Sequence, residues 1–315
     1  MKLQTQIPLK TSSNPIDYQS EVLLVGSCFV ENIGSKLEYY KYKNQLNPFG
    51  ILFHPKAIER FFELVVSEKV FNEDDLIFQN ERWHCFDAHS DLSSSNKDQL
   101  IENLNQALRD TKASLEKVSH VVITLGTAWG YRFKESGSLV ANCHKIPQRE
   151  FEKELYEPEQ ILTSLQHTIE QIKKVNKNAT IILTVSPVRH LKDGFVENQR
   201  SKAHLITAVQ QLVETEQQAE YFPSYEIMMD ELRDYRFYDR DMVHPNTLAV
   251  DYIWKRLIEV YTSDNTQKIM AEVETIQKGI SHRPFNEHSQ AHQKFRENLE
   301  LKKKSLRDKI PHITF

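Results

Sequence analysis

Glycine is scarce in this chain, eight in 315 residues. Positions that only glycine can occupy are therefore few, and where they fall is informative. Four of the eight, Gly26, Gly50, Gly126 and Gly130, lie near the ends of apolar runs or beside aromatic and proline punctuation. Those turns are predicted to need special backbone geometry. Cysteine is scarcer still, three residues scattered at 28, 85 and 143, which cannot all pair. Scattered thiols point to a reduced, cytoplasmic protein rather than a disulfide scaffold. No run approaches the roughly 18 apolar residues of a transmembrane helix. The opening MKLQTQIPLKTSSNP is polar, without the apolar centre of a signal peptide. Basic charge is not in excess either: the formal net charge is -4, which supplies no field to hold nucleic acid. A membrane partner and a nucleic-acid partner are both excluded on these grounds.

What the chain does have is apolar runs alternating with amphipathic helices. Val22–Val25 form a buried strand, and Phe29, Ile33 and Leu37 then recur at helical spacing. SHVVITLGTAWG (119–130) and NATIILTVSPVRH (178–190) are two further strong strands, and AEYFPSYEIM (219–228) a shorter one. KYKNQL reads as a weak strand before a Pro-Gly turn, and residues 131–150 as a hairpin excursion. Helices are predicted over 56–70, 96–117, 157–176, 197–215 and 246–263. Residues 1–20 read as an extended entry arm, and 71–95 as an irregular cap with short strands. Apolar runs in place of period-two strands argue for an α/β fold, a three-layer α/β/α sandwich with a central parallel sheet. The expected organisation is one α/β domain over 1–263, with insertions around 51–117 and 131–150. Residues 264–315 follow as a charged C-terminal helical arm. In such sheets right-handed crossovers put every strand's carboxyl end on one edge, where ligands bind.

Ser27 stands where the first strand gives way to the first helix. Its hydroxyl can project from a tight turn, and a helix N-terminus favours developing negative charge. That suits a nucleophile, but a serine there can equally cap the helix. DMVHPN supplies the partner chemistry. A serine needs a base, a histidine is that base near neutral pH, and an acid fixes its tautomer. Asp241 and His244, three residues apart on one loop, can supply both, although the spacing alone is a weak motif. Asp241 can also be a turn cap, and His244 one of 13 histidines on the surface.

GSCF (26–29), NPFG (47–50), TLGTAWGY (124–131), NCHK (142–145), SPVRH (186–190), YFPSYEI (221–227) and DMVHPN (241–246) together resemble the GSCFA family of the SGNH/GDSL hydrolase superfamily. The resemblance spans roughly 20–260. It implies an SGNH hydrolase-like, flavodoxin-like sandwich and a serine ester hydrolase or acyltransferase, with Ser27 as nucleophile, His244 as base and Asp241 orienting it. No cofactor is implied. It also implies an oxyanion hole built from the Ser27 N–H, a glycine N–H after the second strand and an asparagine amide. Gly50 takes the glycine position. The third donor is absent, because Gly126-Thr127-Ala128 has alanine where the asparagine belongs. Thr127 and Asn142 are the candidate replacements, with Asn142 preferred for its amide. His144 is a candidate to face substrate; the alternative for this NCHK segment is a turn inside a hairpin.

Cys28 could be a thiolate nucleophile at the helix start, but adjacent side chains diverge by about 100°, so it and Ser27 cannot both face the site. His84, Cys85, His89, Cys143 and His144 include adjacent His-Cys pairs, without the spacing of a structural zinc site, so no metal is expected. Arg189, His190 and Lys202 can bind an anionic substrate group or form a solvated face. The substrate expected is a small-molecule or carbohydrate ester, with acetyl esters favoured by analogy alone. Two rivals remain: a binding protein that kept the fold, and a metal-dependent hydrolase. The oligomeric state is not legible.

Overall fold

The structure, a computed structural model, describes residues 4–315; the first three residues of the expected entry arm lie outside this range. The chain opens as β1 (Glu21–Gly26), α1 (Cys28–Tyr39), β2 (Lys43–Leu46) and α2 (Pro55–Val66). A first insertion carries β3 (Ile77–Gln79) and β4 (Arg82–His84) before α3 (Lys97–Leu115) and β5 (His120–Leu125). A second carries β6 (Trp129–Phe133), β7 (Leu139–Val140) and β8 (Phe151–Leu155). Then come α4 (Pro158–Val175), β9 (Thr180–Val185), α5 (Phe195–Thr215), β10 (Ala219–Phe222) and the single turn α6 (Ser224–Glu226). The chain closes with α7 (Thr247–Tyr261), α8 (Asp264–Ser281) and α9 (Gln290–Lys309).

β1, β2, β5, β9 and β10 form a five-stranded sheet in the order β10-β9-β5-β1-β2. Every pairing in it is parallel, and Gly26 lies opposite Thr124. The apolar runs explain the burial of both faces. Leu23 and Val25 belong to a core shared with α2, α3, α4 and α5, whereas Val22 and Leu24 belong to one shared with α1 and α7. The three-layer α/β/α sandwich is therefore as expected. No helix of the described residues is long and apolar enough to cross a membrane.

Two local readings are corrected. The 131–150 excursion is a hairpin, β6 with β7, but its sheet continues to β8 beyond residue 150, in the order β7-β6-β8. The AEYFPSYEIM strand stops at Phe222 and turns helical, since Pro223 has no N–H to continue a ladder.

The charged C-terminal segment is two helices, and its few apolar residues are committed. Met270, Val273, Ile276, Leu306, Ile310 and Ile313 are all buried in the α1/α7 core. Each such side chain is worth about 1.5–3 kcal/mol when buried. Truncation after Ser263 is therefore expected to lower Tm by more than about 10 °C or to give insoluble protein, as read by thermal melting. An unchanged Tm would show that α8 and α9 merely decorate the surface.

Candidate functional site

The site is built on the carboxyl edge of the sheet. β1 ends at Gly26, whose φ is +154°, and a Cβ there would stand 2.4 Å from the Thr124 carbonyl oxygen. Only glycine lets β1 lie this close to β5. The next residue, Ser27, takes the N-cap position of α1 with φ -70° and ψ 171°, yet its side chain makes no cap hydrogen bond. Ser27 is 0% exposed, and its Oγ has no hydrogen-bond partner. The capping alternative therefore fails. An unpartnered buried hydroxyl costs about 1–3 kcal/mol.

Asp241 and His244 lie on the loop before α7. Asp241 Oδ2 is 2.7 Å from His244 Nδ1, and Asp241 Oδ1 accepts from the N–H groups of Val243 and His244. These bonds, those from backbone and ring of His244 foremost, hold the Asp241 carboxyl down at about 2. An ionised carboxylate only accepts, so His244 Nδ1 carries the proton, which in the neutral ring leaves Nε2 unprotonated. Asn246 caps α7 by accepting from Ala249 N–H, which fixes the far end of the loop. Arg189 N–H donates to the Val243 carbonyl, tying this loop to the chain after β9. His244 and Asp241 are about half exposed, while Ser27 is buried. The structure brings Asp241 and His244 together. It does not form the Ser27–His244 hydrogen bond, since the serine hydroxyl has no partner.

Lys202 on α5 is fully buried below this edge. Its Nζ donates to the carbonyl oxygens of Gly126 and Ser186, each at 2.7 Å, so it clamps the ends of β5 and β9 together. Burial above all, then Arg189, lowers its pKa to about 7, with Cys28 opposing. It is thus no solvated cation. A lysine whose folded pKa lies below its unfolded value binds fewer protons when folded, so stability rises with pH between the two. The wild-type chain is expected to gain stability from about pH 7 upward relative to Lys202→Met, in denaturant titrations at pH 6 and pH 9. Parallel pH profiles would show that the amine does not titrate in this window. Beside it, burial pushes the Cys28 thiol up, Glu31 adds to this and Lys202 opposes it. Cys28 is therefore held as a thiol, which disfavours it as the nucleophile.

His190 completes the neighbourhood. Its Nε2 lies 3.1 Å from where a Cβ on Gly126 would stand, and its ring is tilted against Phe53 at 5.9 Å. Burial first, then the charges of Lys202 and His244, lower its pKa to about 3. Nε2 is buried and unpartnered.

The backbone donors expected at the oxyanion site are engaged elsewhere. Ser27 N–H donates to the Thr124 carbonyl at 3.0 Å, Gly50 N–H to that of Asn47 at 2.7 Å, and Gly126 N–H to that of Phe53 at 2.8 Å. Gly50 has φ +70°, and a Cβ there would stand 2.5 Å from His89 Cβ. Thr127 Oγ1 is shared with Ser201 Oγ and Trp129 N–H. Asn142 Oδ1 accepts from His144 N–H, closing a local turn. His144 is buried within the insertions: Nε2–H donates to the Cys85 carbonyl at 2.7 Å, and Nδ1 faces Ser90 Oγ. Burial lowers its pKa to about 4, and its ring packs within the insertions. The turn alternative describes NCHK better.

One polar side chain at the serine turn was missed by sequence reading. Asn47, the first residue of NPFG, is 9% exposed. Its Oδ1 accepts from Gly26 N–H at 2.9 Å, and its Nδ2 is buried without a partner. The available signal was its place at the end of β2, beside the Gly26–Ser27 turn.

Fold and site together define a three-layer α/β/α protein with a serine at the first strand-to-helix turn and an Asp–His pair on the last loop. Residues 21–257 match the GSCFA family model, and 273–315 match the GSCFA domain protein, C-terminal domain. The chain belongs to the GSCFA family. No curated protein matches it in sequence. Among solved structures it is similar to an acetyl xylan esterase, Est2A, from the rumen bacterium Butyrivibrio proteoclasticus: TM-score 0.40, 11% identity, 78% of this chain and 64% of that one. This chain thus spans just under two thirds of that protein. It is also similar to a carbohydrate esterase family 3 protein from Talaromyces cellulolyticus: TM-score 0.36, 11% identity, 81% of this chain and 99% of the other. A third is the psychrotrophic esterase EstA from Pseudoalteromonas: TM-score 0.33, 14% identity, 76% of this chain and 96% of the other.

Proposed function

We propose that this chain is a serine ester hydrolase or acyltransferase, with Ser27 as nucleophile, His244 as general base and Asp241 orienting the imidazole. The observation that carries the reading is the pairing of a buried, unpartnered Ser27 hydroxyl with an Asp–His couple whose Nε2 is free. In the reaction Ser27 Oγ bonds to the ester carbonyl carbon and its proton passes to His244 Nε2. The carbonyl π electrons move onto oxygen; collapse expels the alcohol, which takes the proton from His244. Water, or an acceptor hydroxyl, repeats the sequence on the acyl-enzyme. Because Ser27 is occluded, substrate entry requires the side chains above it to move aside.

A cavity of about 310 Å³ beside the Asp–His loop is lined by Arg189, Phe195, Met229, Tyr235, Tyr238 and Met242, among others. Aromatic walls with two guanidinium groups, Arg189 and Arg233, and the Asp234 carboxylate suit the alcohol half of the ester, and acetylated carbohydrate is the substrate class proposed. We place this activity in the cytoplasm, without cofactor, metal or nucleic acid. The test is a screen with aryl esters from acetate to hexanoate, together with acetate release from acetylated oligosaccharides. Hydrolysis of the short esters is the expected result. The occlusion of Ser27 and the engaged backbone donors favour one other reading, a binding protein of the same fold. Binding of acetylated sugar with no turnover of any ester would establish that reading instead.

A further inference from the structure

An acyl-transfer site must hold the oxygen that becomes an alkoxide, and Ala128 offers no side-chain donor for it. The backbone N–H groups of Ser27, Gly50 and Gly126 are engaged, and Thr127 is tied to Ser201 and Trp129. Yet the same edge contains four buried polar atoms with no partner: Ser27 Oγ, Asn47 Nδ2, Thr124 Oγ1 and His190 Nε2. Buried polar groups are normally satisfied, so a cluster of unsatisfied ones marks a place where something polar binds. Two of the four are nitrogens, an amide group that donates and an imidazole nitrogen that donates in its Nε2–H tautomer, set at the ends of the strands either side of β1. Asn47 stands at the end of β2 on one side of β1; His190, from the chain after β9, leans over Gly126 at the end of β5 on the other.

We propose that Asn47 and His190 form the oxyanion-binding site of this chain. Nδ2 of Asn47 and Nε2–H of His190 donate to the carbonyl oxygen of an ester at Ser27, in place of the amide that Ala128 lacks. The proposal rests on the serine-hydrolase reading above. Asn47 is suitably anchored. Its Oδ1 is held by Gly26 N–H at 2.9 Å, and the two heavy atoms of an amide are about 2.2 Å apart by covalent geometry. Nδ2 is therefore no more than about 5 Å from the nitrogen of the residue preceding the serine. One oxygen of the amide thus shapes the turn while its nitrogen is left for the ligand. His190 is kept neutral by its burial and by Lys202 and His244. A neutral imidazole donates a hydrogen bond without competing with His244 for the serine proton, a use of histidine as an electrophile known from other enzymes.

The test uses the full chain and p-nitrophenyl acetate, with four proteins: wild type, Asn47→Asp, His190→Phe and His190→Gln. Aspartate keeps the acceptor for Gly26 N–H and puts in place of the donor a carboxylate oxygen that repels the developing oxyanion, and phenylalanine keeps the ring beside Phe53. Asn47→Asp and His190→Phe are each expected to lower kcat by about 100-fold with KM within about threefold, and His190→Gln to recover part of the loss. If either of the first two variants keeps wild-type kcat, the two-donor site is wrong. Should Asn47→Asp misfold, wild-type protein inhibited by a methylphosphonate on Ser27 decides the matter. Its phosphoryl oxygen is expected within about 3 Å of both nitrogens, and an oxygen turned away from both overturns the proposal. If wild type turns over no ester and takes no phosphonate, the serine-hydrolase reading itself fails, and this site with it. Turnover that is insensitive to both residues removes only the present inference.

Discussion

Ser27→Ala is expected to abolish ester hydrolysis, with a loss of at least about 10⁴-fold in kcat, and to leave the chain as stable as before or slightly more so. The two halves of this expectation have one cause. The Ser27 hydroxyl is buried and makes no hydrogen bond. Removing an unsatisfied buried group relieves about 1–3 kcal/mol of desolvation. Alanine also fits the extended backbone at φ -70° and ψ 171°. A structural serine would behave the other way round, with a lower Tm after substitution and no change in rate. Thermal melting and aryl acetate hydrolysis of the same preparation separate the two. Retained activity with lowered Tm would return Ser27 to the turn it occupies.

The second large effect is at His244. His244→Ala is expected to cost several orders of magnitude in kcat, and Asp241→Asn somewhat less, since the asparagine orients the ring in the wrong tautomer. The base must be neutral to accept the serine proton, so the rate falls as pH is lowered. The acid limb can be attributed. Asp241 is held at about 2 by its hydrogen bonds and His190 at about 3 by burial. Both lie below the range near neutrality in which a histidine base titrates. Lys202, lowered to about 7 by burial, lies inside that window, so a limb between about pH 5 and 8 belongs to His244 only if it vanishes with His244→Ala and survives Lys202→Met. A flat profile across that range, with chemistry limiting, would contradict the assignment.

The layers of the fold were legible because burial on both faces leaves a strong mark. Val22–Val25, Val121–Leu125 and Ile181–Val185 are near-continuous apolar runs, which a two-sided parallel sheet demands. The Gly26–Ser27 break and the Asp241–His244 spacing were legible for a similar reason, since each is set within a few residues. What failed depended on pairing between distant segments. Asn142 carries the right amide, but its neighbour His144 is drawn into the insertion by Cys85 and Ser90, and the turn between them consumes the Asn142 oxygen. Gly50 was chosen for its residue type, whereas its φ of +70° serves the Asn47–Gly50 turn. Asn47 lay in a quoted motif, but nothing local to NPFG reveals that its side chain reaches Gly26. The C-terminal helices show the same limit. Their charged composition reads as a surface arm, while Val273, Ile276 and Leu306, far apart in sequence, meet in the α1/α7 core.

The central claim is that Ser27 is an activated nucleophile. The most direct measurement is mass-spectrometric mapping after reaction with a fluorophosphonate probe. The account predicts one adduct per chain, on the peptide containing Ser27, formed slowly because the hydroxyl is occluded and lost in His244→Ala. No adduct on the folded chain, or an adduct on Cys28 or another residue that persists in Ser27→Ala, would contradict it.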